Sequence, residues 1–303
     1  MKILISAAGS AAAAGIILHL KKAGYFVIGI DANPDTEVFG NSICDEFYVS
    51  PLATSGEYLN FIKGFMGKVD VFIPFIDEEL LVLSSSDLDK RTLSKIMLCE
   101  QNTIAICCNK IKLQDFCESN DIAIIERTES VPAVYKPAYG RGGKGIVFIT
   151  EPELLPYYQA KSGVIQKMLS GTEYTVDALV DNKGKWLFGV ARKRLQAVGV
   201  SRIGEIDQQH AVLKLARECV NKLKFSHAIN IQVMLDNAGK AHLIEINPRL
   251  AGSVMFSVLA GFDLPVLALE QFFLNQIHLP KDADIKKLRV VRYWQEYSFE
   301  SNN

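Results

Sequence analysis

The run Gly140-Arg141-Gly142-Gly143-Lys144-Gly145 sets two cations among glycines, with Lys136 just upstream. Glycine lets a backbone approach a polyphosphate closely and offer its amides, and the cations add attraction for phosphate. The run lies between two extended segments, not ahead of a helix, so it is not a P-loop. On residue types alone it serves equally as a flexible basic hairpin without a ligand. With a polyphosphate present, Lys136 could reach an α- or β-phosphate.

A second group is Glu245-Ile246-Asn247-Pro248-Arg249. Side chains alternate along a strand, so Glu245 and Asn247 project from one face. Their hard oxygens suit Mg2+, which shares its coordination with substrate phosphates. Gln232, on the preceding strand of an expected hairpin, falls across from them. Arg249 follows the turn, placed to balance charge on a transferring phosphoryl group. The apolar neighbours Leu243, Ile244 and Ile246 favour a functional face over an exposed hairpin end.

A weaker group is Ala8-Gly9-Ser10 with Gly15, between a strand and a helix, where amides can cradle phosphate. Asp31, ending the second strand, is where a dinucleotide site would hold a ribose. The glycines depart from G-x-G-x-x-G, which favours a tight strand-to-helix turn.

The elements that must position these groups follow from periodicity. Strands are expected over 2–6, 27–31, 47–49 and 71–74, alternating with helices over 11–23 and 58–66. That alternation argues for a parallel sheet covered on both faces. A helix over 110–119 and an extended 131–137 lead to the glycine run. Strands then follow over 146–149, 164–168, 174–180 and 186–191, a helix over 208–223, and a hairpin of 229–235 with 241–246. Helices over 253–259 and 265–275 and a strand over 288–294 close the chain. The fold class is α/β followed by α+β.

With 303 residues the chain suits two or three packed subdomains. A net charge of −1 provides no field for nucleic acid or an anionic membrane. Met1-Lys2-Ile3-Leu4-Ile5-Ser6 lacks the layout of a secretory leader, and no stretch approaches a spanning helix, so a cytoplasmic chain is expected. The six cysteines lack paired spacing and read as buried thiols. The five histidines are scattered. Asp177 and the cluster Asp77-Glu78-Glu79 are ambiguous, and helix capping explains the latter without any chemistry.

Taken in order, these motifs, with Gly171-Thr172-Glu173-Tyr174-Thr175-Val176-Asp177 between them, resemble the ATP-grasp superfamily. The likeness is to the ATP-binding unit of the carbamoyl-phosphate synthase large subunit and to short carboxylate–amine ligases such as that of pyrrolysine biosynthesis. It covers essentially the whole chain. It implies a Rossmann-like pre-ATP-grasp domain over 1–98, a small subdomain with the glycine loop over 99–168, and a large subdomain with the metal site over 169–303.

The resemblance also implies roles. Lys110 and Lys136 match the cations on the nucleotide phosphates, and Gly140, Arg141, Gly142, Gly143 and Lys144 the flap over them. Gln166, Lys167, Met168 and Leu169 match the hinge that meets adenine, mostly through backbone groups. Glu173 matches the ribose acid. Gln232, Glu245 and Asn247 match the metal set, for Mg2+ or Mn2+, and Arg249 the arginine at the reacting phosphoryl group. Arg192 and Arg194 share a strand face and match an Arg-x-Arg that binds a substrate carboxylate or acyl phosphate, as guanidinium forks suit planar oxyanions. A solvated basic strand end is the alternative, and Arg202 is a lesser candidate.

Leu250-Ala251-Gly252-Ser253 stands where carbamoyl-phosphate synthases carry a further basic residue, which argues against bicarbonate. The expectation is an enzyme using ATP and Mg2+ on small-molecule carboxylate and amine substrates, with a homodimer among its expected assemblies. A different phosphoryl acceptor, a carboxylase-like reaction, a non-catalytic ATP binder and a dinucleotide-binding protein using Asp31 are the rivals.

Overall fold

The structure, a computed structural model, describes residues 1–34, 37–198, 200–274 and 277–293. Three of its first four strands, at 2–5, 26–31 and 71–73, are largely buried apolar runs, as a sheet sandwiched between helices requires. β1 (Lys2–Ile5), β2 (Phe26–Asp31), β3 (Glu46–Val49) and β4 (Val71–Ile73) pair in parallel in the order β3-β2-β1-β4. Between them run α1 (Ala11–Lys22), α2 (Glu37–Ile43) and α3 (Tyr58–Met66), and α4 (Asp77–Ser84) follows β4. Alternation splits the sheet. Ile3, Ile5 and Val27 share a core with Ile16, Ile17 and Leu20 of α1, while Leu4, Ile28 and Ile30 share another with Ile62 and Phe65 of α3. Ser10 starts α1 by accepting from the Ala13 amide at 3.2 Å.

Next come α5 (Lys90–Leu93), α6 (Gln101–Cys107) and α7 (Lys110–Ser119), the last capped by Asn109, which accepts from the Ile111 and Lys112 amides. β5 (Ala133–Pro137), β6 (Val147–Ile149) and β7 (Gly163–Lys167), with α8 (Leu155–Gln159), form a small antiparallel sheet ordered β6-β5-β7. Its core is Ala133, Tyr135, Ile149 and Leu155. The glycine run connects β5 to β6. Gly142 and Gly143 take successive φ values of 64° and 77°, a conformation costly for residues with a Cβ.

The third sheet is antiparallel: β8 (Gly171–Val180), β9 (Trp186–Val198), β10 (Val200–Ile206), β11 (His227–Asp236), β12 (Ala241–Asn247) and β13 (Arg289–Val291), in the order β12-β11-β8-β9-β10-β13. One face carries Tyr174, Val176, Ala178, Ile231 and Val233. It packs on α9 (His210–Lys222), whose Val212, Leu215, Ala216 and Cys219 recur at helical spacing, and on Ile104 of α6 and Leu113 of α7. On the other face, Leu179, Val190 and Ala228 join the N-terminal sheet's core together with Phe256 of α10 (Met255–Leu259) and Leu267 of α11 (Leu264–Leu274). The rest of that face is polar, and it carries the candidate site.

β10 is absent from the sequence reading, and β9 runs past the expected 186–191. Arg202, Gly204 and Glu205 interrupt apolar alternation, so the segment reads as a loop. It becomes a strand because β9 and β13 pair with its two edges. Asn275 and Trp294, the last residues of two expected elements, lie outside the described residues. All six cysteines are free, and five are buried. Among the described residues no helix is long and apolar enough to cross a membrane.

Candidate functional site

The polar face is built by strand alternation. Gln232 pairs with Glu245 and Asn230 with Asn247 across the β11–β12 hairpin, while Thr175 and Asp177 sit opposite Gln232 and Asn230 on β8. Asn247 Nδ2 donates to Glu245 Oε1 at 3.1 Å and to Asn230 Oδ1 at 3.2 Å, which fixes the amide beside the carboxylate. Arg249 Nη2 donates to Asn247 Oδ1 at 3.2 Å, and Arg194 Nη1 to Gln232 Oε1 at 2.7 Å.

Above this hairpin lies a cavity of ≈ 520 Å³. The glycine loop supplies Gly140, Arg141, Gly142 and Lys144; the hairpin side supplies Gln232, Glu245, Asn247 and Arg249; the N-terminal unit closes it with Ser10, Phe75 and Glu78. Arg141, Lys144, Arg194 and Arg249 outnumber Glu78 and Glu245 among its lining residues, so the cavity favours an anion.

Two charges are left open. Lys136 on β5 is 7% exposed, and among the described residues its ammonium meets no carboxylate within ion-pair range. Burial lowers its pKa from the usual 10.5 to about 8, against the opposing pull of Glu245. Among the described residues Glu245 likewise has no cation in ion-pair range, and Asn247 is its hydrogen-bond partner. A buried ammonium without a partner is costly, and an anion brought to it removes the cost.

The other expected residues are placed as follows. Lys110 Nζ donates to Gly140 O at 2.8 Å, tying α7 to the glycine loop. Glu173 accepts from Arg194 Nη1 at 2.6 Å, and burial raises its pKa. Gln166 turns its side chain into the core, where Nε2 donates to Gln114 Oε1 at 2.7 Å, so only its backbone could meet a base. The Lys167 and Met168 amides already donate to Glu126 O and Pro132 O, whereas the Leu169 amide has no backbone partner among the described residues. These hinge residues, with Lys110, Lys136 and Glu173, lie outside the cavity lining.

The expectation for Arg192 is corrected. Its side chain has 0% exposure, and Nε and Nη2 donate to Asp177 at 3.1 and 3.3 Å. Ser257 Oγ donates to the same carboxylate at 2.6 Å. The guanidinium is enclosed and neutralised, leaving no surface for a substrate. Asp177→Ala would strand this buried charge. It should lower stability by roughly 3–5 kcal/mol, read as a fall in the urea midpoint; an unchanged midpoint would refute the pairing.

Asp31 is also accounted for. Its carboxylate accepts from the Gly9 and Asn33 amides at 3.0 and 2.9 Å, closing the β1–α1 turn. Helix capping does not explain Asp77-Glu78-Glu79, because each carboxylate has a tertiary partner: Arg249, Arg141, and Tyr58 with Ser6 respectively.

The donor set fits a magnesium ion carried by phosphates. Glu245 supplies one carboxylate, and Gln232 and Asn247 supply amide oxygens. Among the described residues no three His, Cys, Asp or Glu gather to hold a metal alone, so phosphate oxygens would complete the shell.

This architecture has known likenesses. Residues 159–295 match the model of a family described as ATP-grasp in the biosynthetic pathway with Ter operon. The structure superposes on N5-carboxyaminoimidazole synthetase from Staphylococcus aureus with a TM-score of 0.70 at 16% identity, covering 92% of this chain and 78% of that one. Residues 159–295 thus match an ATP-grasp family, and the chain shares the fold of this synthetase. An L-amino acid ligase from Bacillus licheniformis shares the fold with a TM-score of 0.68 at 15% identity, over 90% of this chain and 74% of that one. The carbamoyl phosphate synthase large chain of Clostridium perfringens is 26% identical over 79% of this chain and 25% of its own length. The chain thus spans about a quarter of the length of such curated relatives.

Sequence reasoning missed Asn230, Thr175 and the role of Asp77. The first two carry a legible signal: each lies two residues from Gln232 or Asp177 on the same strand face. Asp77 carries none, because it meets Arg249 across 172 positions.

Proposed function

We propose that this ATP-grasp chain is an ATP-dependent carboxylate–amine ligase working through an acyl phosphate, with a thiol acceptor as a variant of the same chemistry. A carboxylate oxygen attacks the γ-phosphorus of ATP and ADP leaves. The amine nitrogen then attacks the acyl carbon, forming the C–N bond as phosphate departs.

The observation that carries the reading is the pair of open charges, Lys136 and Glu245, beside a cavity roofed by the glycine loop. Lys136 and Lys110 bind nucleotide phosphates, the glycine loop covers them, and the Leu169 amide is free to meet adenine. Glu173 keeps one oxygen for a ribose hydroxyl. Arg249 faces the transferring group, and Arg194 stands nearest the substrate. A magnesium or manganese ion held by Glu245, Asn247 and Gln232 would neutralise phosphate charge. Catalysis of the first step is then positioning and electrostatics. The cytoplasm, where ATP is abundant, suits this reaction.

The test is ADP release from Mg-ATP with pooled carboxylates, with and without pooled amino acids. Release that requires both pools supports the ligase. Release with carboxylates alone points to a kinase-like reaction, and binding without release in any pool to a non-catalytic ATP binder.

A further inference from the structure

The N-terminal unit enters the cavity through the β4–α4 turn, and that turn grips two arginines. Asp77 Oδ1 accepts from Arg249 Nε at 2.6 Å, with side-chain exposures of 19% and 13%. One residue on, Glu78 accepts from Arg141 Nε of the glycine loop at 3.0 Å. The next, Glu79, is buried and anchors the turn. It accepts from the Ser6 hydroxyl, from Tyr58 OH at 2.7 Å and from the Phe75 amide at 3.2 Å.

The geometry at Arg249 is directional. Asp77 occupies the Nε edge of the guanidinium, Leu250 O and Asn247 Oδ1 accept from Nη1 and Nη2 at 3.3 and 3.2 Å, and the residue lines the cavity. A free arginine must surrender rotamer freedom each time it meets a phosphoryl group. Here that freedom is already gone, because a short charge-assisted bond holds the fork from a different structural unit. The Glu78–Arg141 pair is more exposed and contributes less to this fixation.

We propose that Asp77 is a positioning residue for phosphoryl transfer: it sets the Arg249 fork towards the transferring group, making the N-terminal unit a working part of the site. The inference rests on the reading that an Mg-nucleotide occupies the cavity.

Two titrations test it on the full chain, one with MgADP and one with MgADP plus aluminium fluoride, a mimic of the transferring phosphoryl group. Wild type should bind the fluoride complex more tightly. Asp77→Ala should keep its MgADP affinity within about twofold while losing about tenfold to a hundredfold of the fluoride gain. Asp77→Glu should recover part of it. Asp77→Asn, which keeps an acceptor and the side-chain volume, serves if the alanine variant does not fold, and should show a smaller loss of the same kind. A full fluoride gain in the variants, equal losses of both affinities, or no gain in wild type would overturn the positioning role. Wild type that fails to bind MgADP would overturn the nucleotide reading instead.

Discussion

Glu245→Gln should reduce ADP formation from Mg-ATP by a factor on the order of 10²–10³ or more while the chain stays folded. Glu245 is the one carboxylate of the proposed metal set, and its side chain meets no cation in ion-pair range among the described residues. Glutamine preserves the shape and the bond from Asn247 but removes the charge that would hold magnesium. A second readout needs no turnover. Magnesium should strengthen ADP binding to wild type and have little effect on ADP binding to the variant. Wild-type turnover in the variant, or an undiminished magnesium effect, would remove Glu245 from the metal site.

Lys136→Met should weaken MgADP about tenfold to a hundredfold, the loss of a charge-assisted contact to phosphate, yet make the ligand-free protein more stable at neutral pH. Folding moves the lysine from a pKa of 10.5 to about 8, because burial penalises the ammonium. Between those values the unfolded chain holds a proton that the folded chain has released, so stability rises with pH across this window. Below pH 8 both states are protonated and the burial penalty, roughly 3 kcal/mol, is fully present. Methionine removes it. The melting temperature of the variant should exceed that of wild type by several degrees at pH 7, with the difference shrinking towards pH 10. Wild-type MgADP affinity should also fall as pH rises through about 8, and the variant's should not. A destabilised variant with wild-type affinity would show that Lys136 serves packing rather than phosphate.

What was legible in the sequence was the local part of the site. Period-two alternation put Glu245 and Asn247 on one face and Gln232 opposite, and the structure pairs Gln232 with Glu245 across the hairpin. The residue pattern likewise marked α1 and α7 as helices. The illegible part is the tertiary electrostatics. Arg192 and Arg194 look alike in sequence, yet Asp177 encloses one while the other lines the cavity. Which arginine faces the cavity depends on what packs above the strand, and Ser257 and Phe256 come from a helix much later in the chain. The Asp77–Arg249 pair is hidden for the same reason. Strand β10 was missed because pairing on both edges, not its own alternation, makes it a strand.

The most direct test of the nucleotide site is calorimetric titration of the full chain with ADP, with and without magnesium, and with NAD as the comparison. Saturable ADP binding that magnesium strengthens, that Lys136→Met weakens and that NAD does not reproduce is the expected result. Binding of NAD in place of MgADP, or MgADP binding indifferent to Lys136, would contradict an Mg-nucleotide site between the glycine loop and the β11–β12 hairpin.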